Sequence, residues 1–155
     1  MKINSISLEN FRNISSLSLE FEDTNIIWGE NAQGKTNLIE AIYVLGLTKS
    51  FRSSTDKVLV MKDKNLTKIS GVVFDNINKE YQLTISGDGK IAKIDSHRQN
   101  KLSDYIAKVN IVLFHPDSLK VIKDSPSTRR ENLNIDMSQF DNEFVNLLND
   151  YEKVL

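Results

Sequence analysis

Apolar and polar residues alternate along several short stretches of the chain, which is the pattern of strands that bury one face. Residues 1–8 and 17–21 show it on either side of a polar turn. Three further stretches are joined by short connections rich in Asn, Asp and Gly, as in hairpins. We therefore predict a first pair of strands and then an antiparallel β meander over roughly residues 67–98.

Two other runs, at residues 26–28 and 109–114, are almost continuously apolar. Strands buried on both faces of a parallel sheet have this composition. Behind the first run, apolar residues recur at helical spacing up to Leu45, and Gly46 is expected to end that helix. The chain is therefore predicted to be an α/β protein in which a parallel core accompanies the antiparallel meander.

The carboxyl-terminal part is predicted to be helical. Ser125 and Pro126 form a typical helix start, and a second apolar stripe begins at Phe140 and still continues at the last residue. We expect residues 1–135 to form a head and residues 136–155 to begin a helical second lobe, with the chain stopping inside that element.

The run at 26–28 leads into a glycine-bounded loop and a helix start. Gly29, Gly34, Lys35 and Thr36 stand at the spacing of a phosphate-binding P-loop. The alternative is a chance match in a loop, which the strand pattern before it and the helix pattern after it disfavour. We predict a nucleoside triphosphate site whose ATP-binding residues in this loop are Gly29, Glu30, Asn31, Ala32, Gln33, Gly34, Lys35, Thr36 and Asn37.

These residue types suit a bound polyphosphate. Glycine lets the main chain wrap around phosphate, and a helix that starts there directs unpaired N–H groups at it. Lys35 supplies a mobile charge for the β- and γ-phosphates and is the predicted catalytic residue. The Thr36 hydroxyl is the predicted protein ligand of Mg²⁺. Asn37 lies within reach of a phosphate oxygen, whereas the Glu30 carboxylate is expected to point outward.

Composition excludes several other kinds of site. The 155 residues include no cysteine and only two histidines, which rules out a disulfide framework and a thiolate metal site. No stretch approaches the length of a membrane span, so a cytoplasmic protein without a membrane partner is predicted. Residues 49–108 carry twelve basic and seven acidic side chains. This excess is compatible with a nucleic-acid partner, although scattered solvated lysines account for it equally well.

Hydrolysis of ATP also needs an acidic residue at the end of an apolar strand, to hold Mg²⁺ and orient water. No such strand follows the P-loop in this sequence, because the run at 109–114 ends in His115. The chain is therefore expected to bind nucleotide without hydrolysing it by itself. The helix rise places the polar loop at residues 48–55 about 18 Å from the phosphates, so it is expected to take no part in phosphate capture unless it folds back.

Residues 10–13 (NFRN) and 28–42 (WGENAQGKTNLIEAI) resemble the amino-terminal head of ATPases of the ABC type that are related to the structural maintenance of chromosomes proteins. Within that group, three further blocks are similar to the RecF family of DNA replication and repair ATPases and occur in the expected order. These blocks are residues 50–52 (SFR), 112–119 (VLFHPDSL) and 123–130 (KDSPSTRR).

The resemblance implies an ATPase of recombinational DNA repair, with two heads that sandwich ATP and Mg²⁺ and grip double-stranded DNA. It implies an ATP-dependent homodimer, RecO and RecR as partners, a role in the response to DNA damage, and a location in the cytoplasm at the nucleoid. It also makes Arg12 and Asn13 ATP contacts. The signature motif and the acidic strand are expected downstream of this chain.

Two positions depart from the family pattern. Relatives often have glycine where this chain has Ala32, which costs about 1 kcal/mol if the backbone there is left-handed. Related heads often carry a glutamine after the strand that corresponds to 109–114, and residues 115–118 contain none. Two alternative functions stay open: an ABC-type head with another duty, such as transport or defence against phage, and a nucleotide-switched binding module that never hydrolyses.

Overall fold

The computed structural model of the protein describes residues 1–106, 108–115 and 126–154. Its main feature is a six-stranded antiparallel sheet. The strands are β1 (Lys2–Phe11), β2 (Ile14–Glu20), β3 (Leu66–Asp75), β4 (Ile77–Ser86), β5 (Gly89–Ile94) and β6 (His97–Arg98). They lie side by side in the order β2-β1-β3-β4-β5-β6.

The predicted hairpins are formed. β1 and β2 are joined by the turn that contains Arg12 and Asn13, and β3, β4 and β5 form the predicted meander. The meander is not a separate layer, because β1 also pairs with β3 along Lys2 to Glu9 and joins all six strands into one sheet. The α/β class is confirmed by this sheet together with the helices packed on it.

Helix α1 (Lys35–Leu47) follows the P-loop and packs on one face of the sheet. Its apolar side chains meet the inward-facing residues of β1, β3 and β4, because alternate residues of each strand point to the same face. The centre of this core consists of Ile6, Leu8, Phe11, Leu38, Ala41, Val44, Leu45, Ile69, Leu83 and Ile85.

The expected end of α1 at Gly46 is wrong. The helix continues through Gly46 to Leu47, and Thr48 ends it with a left-handed backbone (φ 58°). Glycine serves a packing purpose there, since a β-carbon on it would lie 2.5 Å from Cδ1 of Ile111. The residue therefore permits a close contact between α1 and the segment that contains Ile111.

The strand predicted at residues 26–28 is not formed. Ile26 is 84% exposed and Trp28 is 87% exposed. A strand buried on both faces needs a hydrogen-bonded neighbour at its edge and cover above and below. In the described part of the chain no strand pairs with this segment, although the outer edges of β2 and β6 are unpaired. The apolar composition is present, but the described residues do not cover it.

The central strand predicted at residues 109–114 is also absent. Val112 is 98% exposed and Phe114 is 79% exposed, although Val109 is buried. The backbone here bonds to side chains instead of to a strand, since the N–H of Ile111 donates to Oε1 of Gln139 at 2.5 Å. Like residues 26–28, this segment has the composition of a central strand and lacks neighbours within the described residues.

The remaining α-helices are α2 (Ser103–Ile106), α3 (Pro126–Ser138) and α4 (Asn142–Val154), and a short 3-10 helix spans Asp56–Leu59. α3 begins at the predicted Pro126, while the capping residue Ser125 lies outside the described residues. The proposed boundary between residues 135 and 136 falls inside α3, and the division into two parts remains a prediction. None of the helices in the described residues has the length and apolar character needed to span a bilayer.

A buried tyrosine lies where α2 meets the sheet. Tyr105 is fully buried, its ring meets that of Tyr81 edge-on at 5.7 Å, and its hydroxyl has no hydrogen-bond partner in the described residues. Burial raises the pKa of the Tyr105 phenol well above its ordinary value. Ser103 is the first residue of α2, and its hydroxyl also has no hydrogen-bond partner in the described residues.

Candidate nucleotide-binding site

The loop before α1 has the backbone geometry that a phosphate-binding loop requires. Gly29 has φ 146° and Gly34 has φ 94°, both in the region that side chains disfavour. Ala32 has φ 65° and therefore carries the left-handed strain anticipated for an alanine at this position. Gly34 immediately precedes α1 and has no side-chain cap, so the first N–H groups of the helix remain open to a ligand.

Lys35 lies across the mouth of this loop. Its Nζ donates to the carbonyl oxygen of Gly29 at 2.7 Å and to that of Glu30 at 2.5 Å. The ammonium group is thus held by backbone acceptors that the loop itself provides. The side chains of Glu30 and Thr36 are exposed, the first as expected. Thr36 is the second residue of α1.

A cavity of about 270 Å³ lies beside the loop. Most of the predicted loop residues line it, and so does one residue from the loop at 48–55. The lining residues are Asn31, Ala32, Gly34, Lys35, Thr36, Asn37 and Arg52. The cavity therefore brings two basic side chains, Lys35 and Arg52, to the amino-terminal end of α1.

Because Arg52 lines the cavity, the loop at residues 48–55 does fold back, which is the exception left open by the expectation based on helix rise. After the left-handed residue Thr48, the chain turns back along α1, so that Ser50 and Arg52 both donate hydrogen bonds to Glu40. Lys90 fixes this reversal by donating to the carbonyl oxygen of Thr48 at 2.5 Å. Phe51 then packs its ring against those of Tyr43 and His115, with centroids 5.4 Å and 5.2 Å away.

Arg12 and Asn13, the two contacts implied by family resemblance, lie next to the cavity residues but do not line the cavity. Arg12 is tied to Glu40 of α1 by two hydrogen bonds, from Nε at 2.8 Å and from Nη2 at 2.6 Å. The Asn13 side chain accepts from Nδ2 of Asn37 at 2.7 Å. Their role as ATP contacts remains a prediction.

Glu40 is the residue of this region that the sequence pattern did not indicate. It is completely buried, yet it carries a carboxylate on a helix that otherwise packs into an apolar core. Its position three residues after Asn37 places both side chains on one face of α1. The sequence did contain a signal for Glu40. It is an acidic residue inside an apolar helical stripe, and arginines occur in two nearby loops.

The metal chemistry of the site rests on few protein atoms. Within the described residues no group of three or more acidic, histidine or cysteine side chains is placed to hold an ion. Thr36 offers one hydroxyl oxygen on the cavity wall. A magnesium ion needs oxygen ligands in octahedral geometry and commonly takes most of them from phosphate and water, so one hydroxyl fits a metal that arrives with its nucleotide.

Comparison with known proteins identifies the class. Residues 1–154 match the family described as AAA ATPase domain. The match covers nearly the whole chain and agrees with a glycine-bounded loop at the start of α1. The chain belongs to this family of ATPase domains.

Individual relatives are more specific. The chain is 45% identical over its whole length to the DNA replication and repair protein RecF of Bacillus cytotoxicus and of Bacillus thuringiensis. It also superposes on solved structures of the recombination mediator protein RecF of the RecFOR pathway. One is described as RecF-ATPrS (TM-score 0.94) and the other as RecF-ATP (TM-score 0.91), each 33% identical and covering 99% of this chain.

The chain matches only part of the length of each of these relatives. The chain spans 42% of the length of the two Bacillus relatives and 43% and 44% of the two solved chains. The resemblance to the RecF family that the sequence blocks indicated is confirmed by the sequence identity and by the structural superposition.

Proposed function

We propose that this chain is the ATP-binding part of a RecF-like ATPase that acts in recombinational DNA repair. One observation carries the proposal: the open N–H groups at the start of α1, the glycine-bounded loop and the side chains of Lys35 and Arg52 converge on one cavity. A triphosphate is the ligand whose charge and length match that combination. The RecF-ATP structure to which the chain is similar supports ATP as the nucleotide.

Each part of the loop has a task in this proposal. Lys35 exchanges its bonds to the carbonyls of Gly29 and Glu30 for bonds to the β- and γ-phosphates, because phosphate oxygens carry more charge than carbonyls. The backbone from Gly29 to Thr36 donates N–H groups to the phosphates. Thr36 would hold the Mg²⁺ that accompanies ATP through one hydroxyl oxygen, and the bound ion would supply positive charge to offset that of the phosphates.

The wider activity is also a proposal. In the complete protein, two such heads form an ATP-dependent dimer that grips double-stranded DNA and acts with RecO and RecR, in the cytoplasm at the nucleoid. Association of the solved relatives with the RecFOR pathway supports those partners. Residues 1–135 serve as the nucleotide-binding head and 136–155 as the start of a helical lobe. By itself the chain is proposed to hydrolyse ATP negligibly.

Calorimetric titration with ATP and Mg²⁺ tests the nucleotide site. The unaltered chain is expected to bind, and Lys35→Ala is expected to lose about a hundredfold in affinity, the worth of a charged hydrogen-bond donor to phosphate. Lys62→Ala is the matched control, because Lys62 is an exposed lysine outside the cavity lining. Equal affinity of the two variants would reject this loop as the site.

Binding to double-stranded DNA tests the proposed partner. The logarithm of the affinity should fall linearly with the logarithm of salt concentration, with a slope of about −0.9 for each phosphate neutralised. Affinity that does not change with salt would contradict a contact based on phosphates. Steady ATP turnover by this chain well above background would contradict the proposed inactivity.

A further inference from the structure

Glu40 is the centre of a network of donors at the nucleotide site. Its carboxylate is fully buried and accepts hydrogen bonds from Arg12, from the Ser50 hydroxyl at 2.5 Å and from Nη1 of Arg52 at 3.3 Å. A buried carboxylate is tolerated only when its charge is matched and its oxygens are bonded. Glu40 therefore holds three separate parts of the chain together: the β1–β2 turn, α1 and the loop that carries Arg52.

The same three parts are joined a second time on the cavity side. Nη1 of Arg52 also donates to Oδ1 of Asn37 at 2.8 Å, and Nδ2 of Asn37 donates to Oδ1 of Asn13 at 2.7 Å. Because Asn13 follows Arg12 directly, the bonds form a closed ring that runs through Glu40. The ring leaves Arg52 little freedom to swing away from the cavity.

The two arginines on Glu40 are not equivalent. Arg12 makes two short bonds and its side chain is 20% exposed, whereas Arg52 makes one longer bond and is 41% exposed. Two guanidinium groups share one carboxylate, so one positive charge is left over. An entering anion draws away the more exposed and more weakly bonded guanidinium more easily, because less hydrogen-bond energy to Glu40 is lost. That guanidinium belongs to Arg52, which already lines the cavity.

We propose that Glu40 is a positioning residue that holds Arg52 at the mouth of the nucleotide cavity and keeps its guanidinium ready for a phosphate oxygen. This inference rests on the proposed function, since it names a second cation at the same site. Arg12 neutralises Glu40 permanently, and Arg52 exchanges Glu40 for the nucleotide. Ser50 fixes the backbone of the loop that carries Arg52, because its Oγ also accepts hydrogen bonds from the N–H groups of Arg52 and Ser53.

A double-mutant cycle on ATP affinity tests the proposal. Arg52→Ala should weaken MgATP binding by about tenfold, and Glu40→Gln should weaken it by about fivefold because the guanidinium is no longer held in place. If Glu40 acts through Arg52, adding Glu40→Gln to Arg52→Ala changes the affinity by less than about twofold. A role in folding alone would give independent, additive losses instead.

Hydrogen exchange without nucleotide gives a second measurement. The N–H groups of Arg52 and Ser53 should exchange faster in Glu40→Gln, and also in Ser50→Ala, which removes one hydroxyl and leaves every charge in place. Should Glu40→Gln fail to fold, Ser50→Ala provides the test alone, with faster exchange and about threefold weaker MgATP binding expected. Unchanged exchange and affinity in Ser50→Ala would then overturn the proposal.

The outcomes separate this inference from the nucleotide site itself. If the unaltered chain binds no ATP, the proposed function is rejected and the role of Glu40 with it. If the unaltered chain binds ATP, Lys35→Ala binds it about a hundredfold more weakly, and Arg52→Ala binds as well as the unaltered chain, the site stands and the inference is overturned.

Discussion

The ion pair between Arg12 and Glu40 should make a large contribution to stability. In Arg12→Ala the fully buried carboxylate of Glu40 loses two of its hydrogen bonds, at 2.8 Å and 2.6 Å, and its principal counter-charge. Removing one partner of a buried pair costs about 3–5 kcal/mol, and the remaining donors Ser50 and Arg52 favour the lower end. About 3 kcal/mol corresponds to a fall in Tm of about 6–12 °C for a chain of this size.

Thermal unfolding followed by circular dichroism measures this effect, and the chain offers a matched control. Lys2 and Asp23 form an ion pair of similar length, 2.7 Å, but Asp23 is 91% exposed. Lys2→Ala should leave Tm almost unchanged, because water screens the attraction between exposed charges and such pairs contribute little to stability. Equal falls in Tm for Arg12→Ala and Lys2→Ala would contradict the claim that burial of Glu40 gives its ion pair a larger contribution to stability.

Three further predictions follow from the backbone and the core. Ala32→Gly relieves a left-handed backbone and should raise the free energy of unfolding by about 0.5–1 kcal/mol in urea titration, whereas a loss would contradict the strain. Gly71→Ala would place a β-carbon 2.9 Å from the backbone oxygen of Ser5 and should lower the free energy of unfolding by about 1–3 kcal/mol, while the unobstructed Gly87→Ala should not. Because the pKa of Tyr105 is raised in the fold above the ordinary value of 10.0, stability should decline as pH rises above that value; Tyr105→Phe should remove part of that decline, and an identical pH profile would contradict it.

Local signals in the sequence were enough to predict the hairpins and the loop. Alternating apolar residues with turn residues between them define β1 to β5, because each strand buries one face and the short connections force neighbouring strands together. The P-loop likewise depends on a few adjacent residues. Its glycines at 29 and 34 have the positive φ angles that explain why glycine stands there.

Contacts between distant parts of the chain were not predictable in the same way. Arg52 reaches the cavity because Glu40, Asn37 and Lys90 fix a loop that helix length alone would place far away. The apolar runs at 26–28 and 109–114 show the opposite error. Their composition indicates a need for burial, but composition does not say which strands provide it, and in the described residues none does.

The most direct test of the nucleotide site is to titrate the ¹⁵N-labelled chain with MgATP and record ¹H–¹⁵N correlation spectra. The largest, saturable shifts should belong to amides from Gly29 to Asn37, where open N–H groups meet the phosphates, and the Arg52 amide should shift with them. Saturable shifts confined to another part of the chain, or none at millimolar MgATP, would contradict the assignment of this loop as the site.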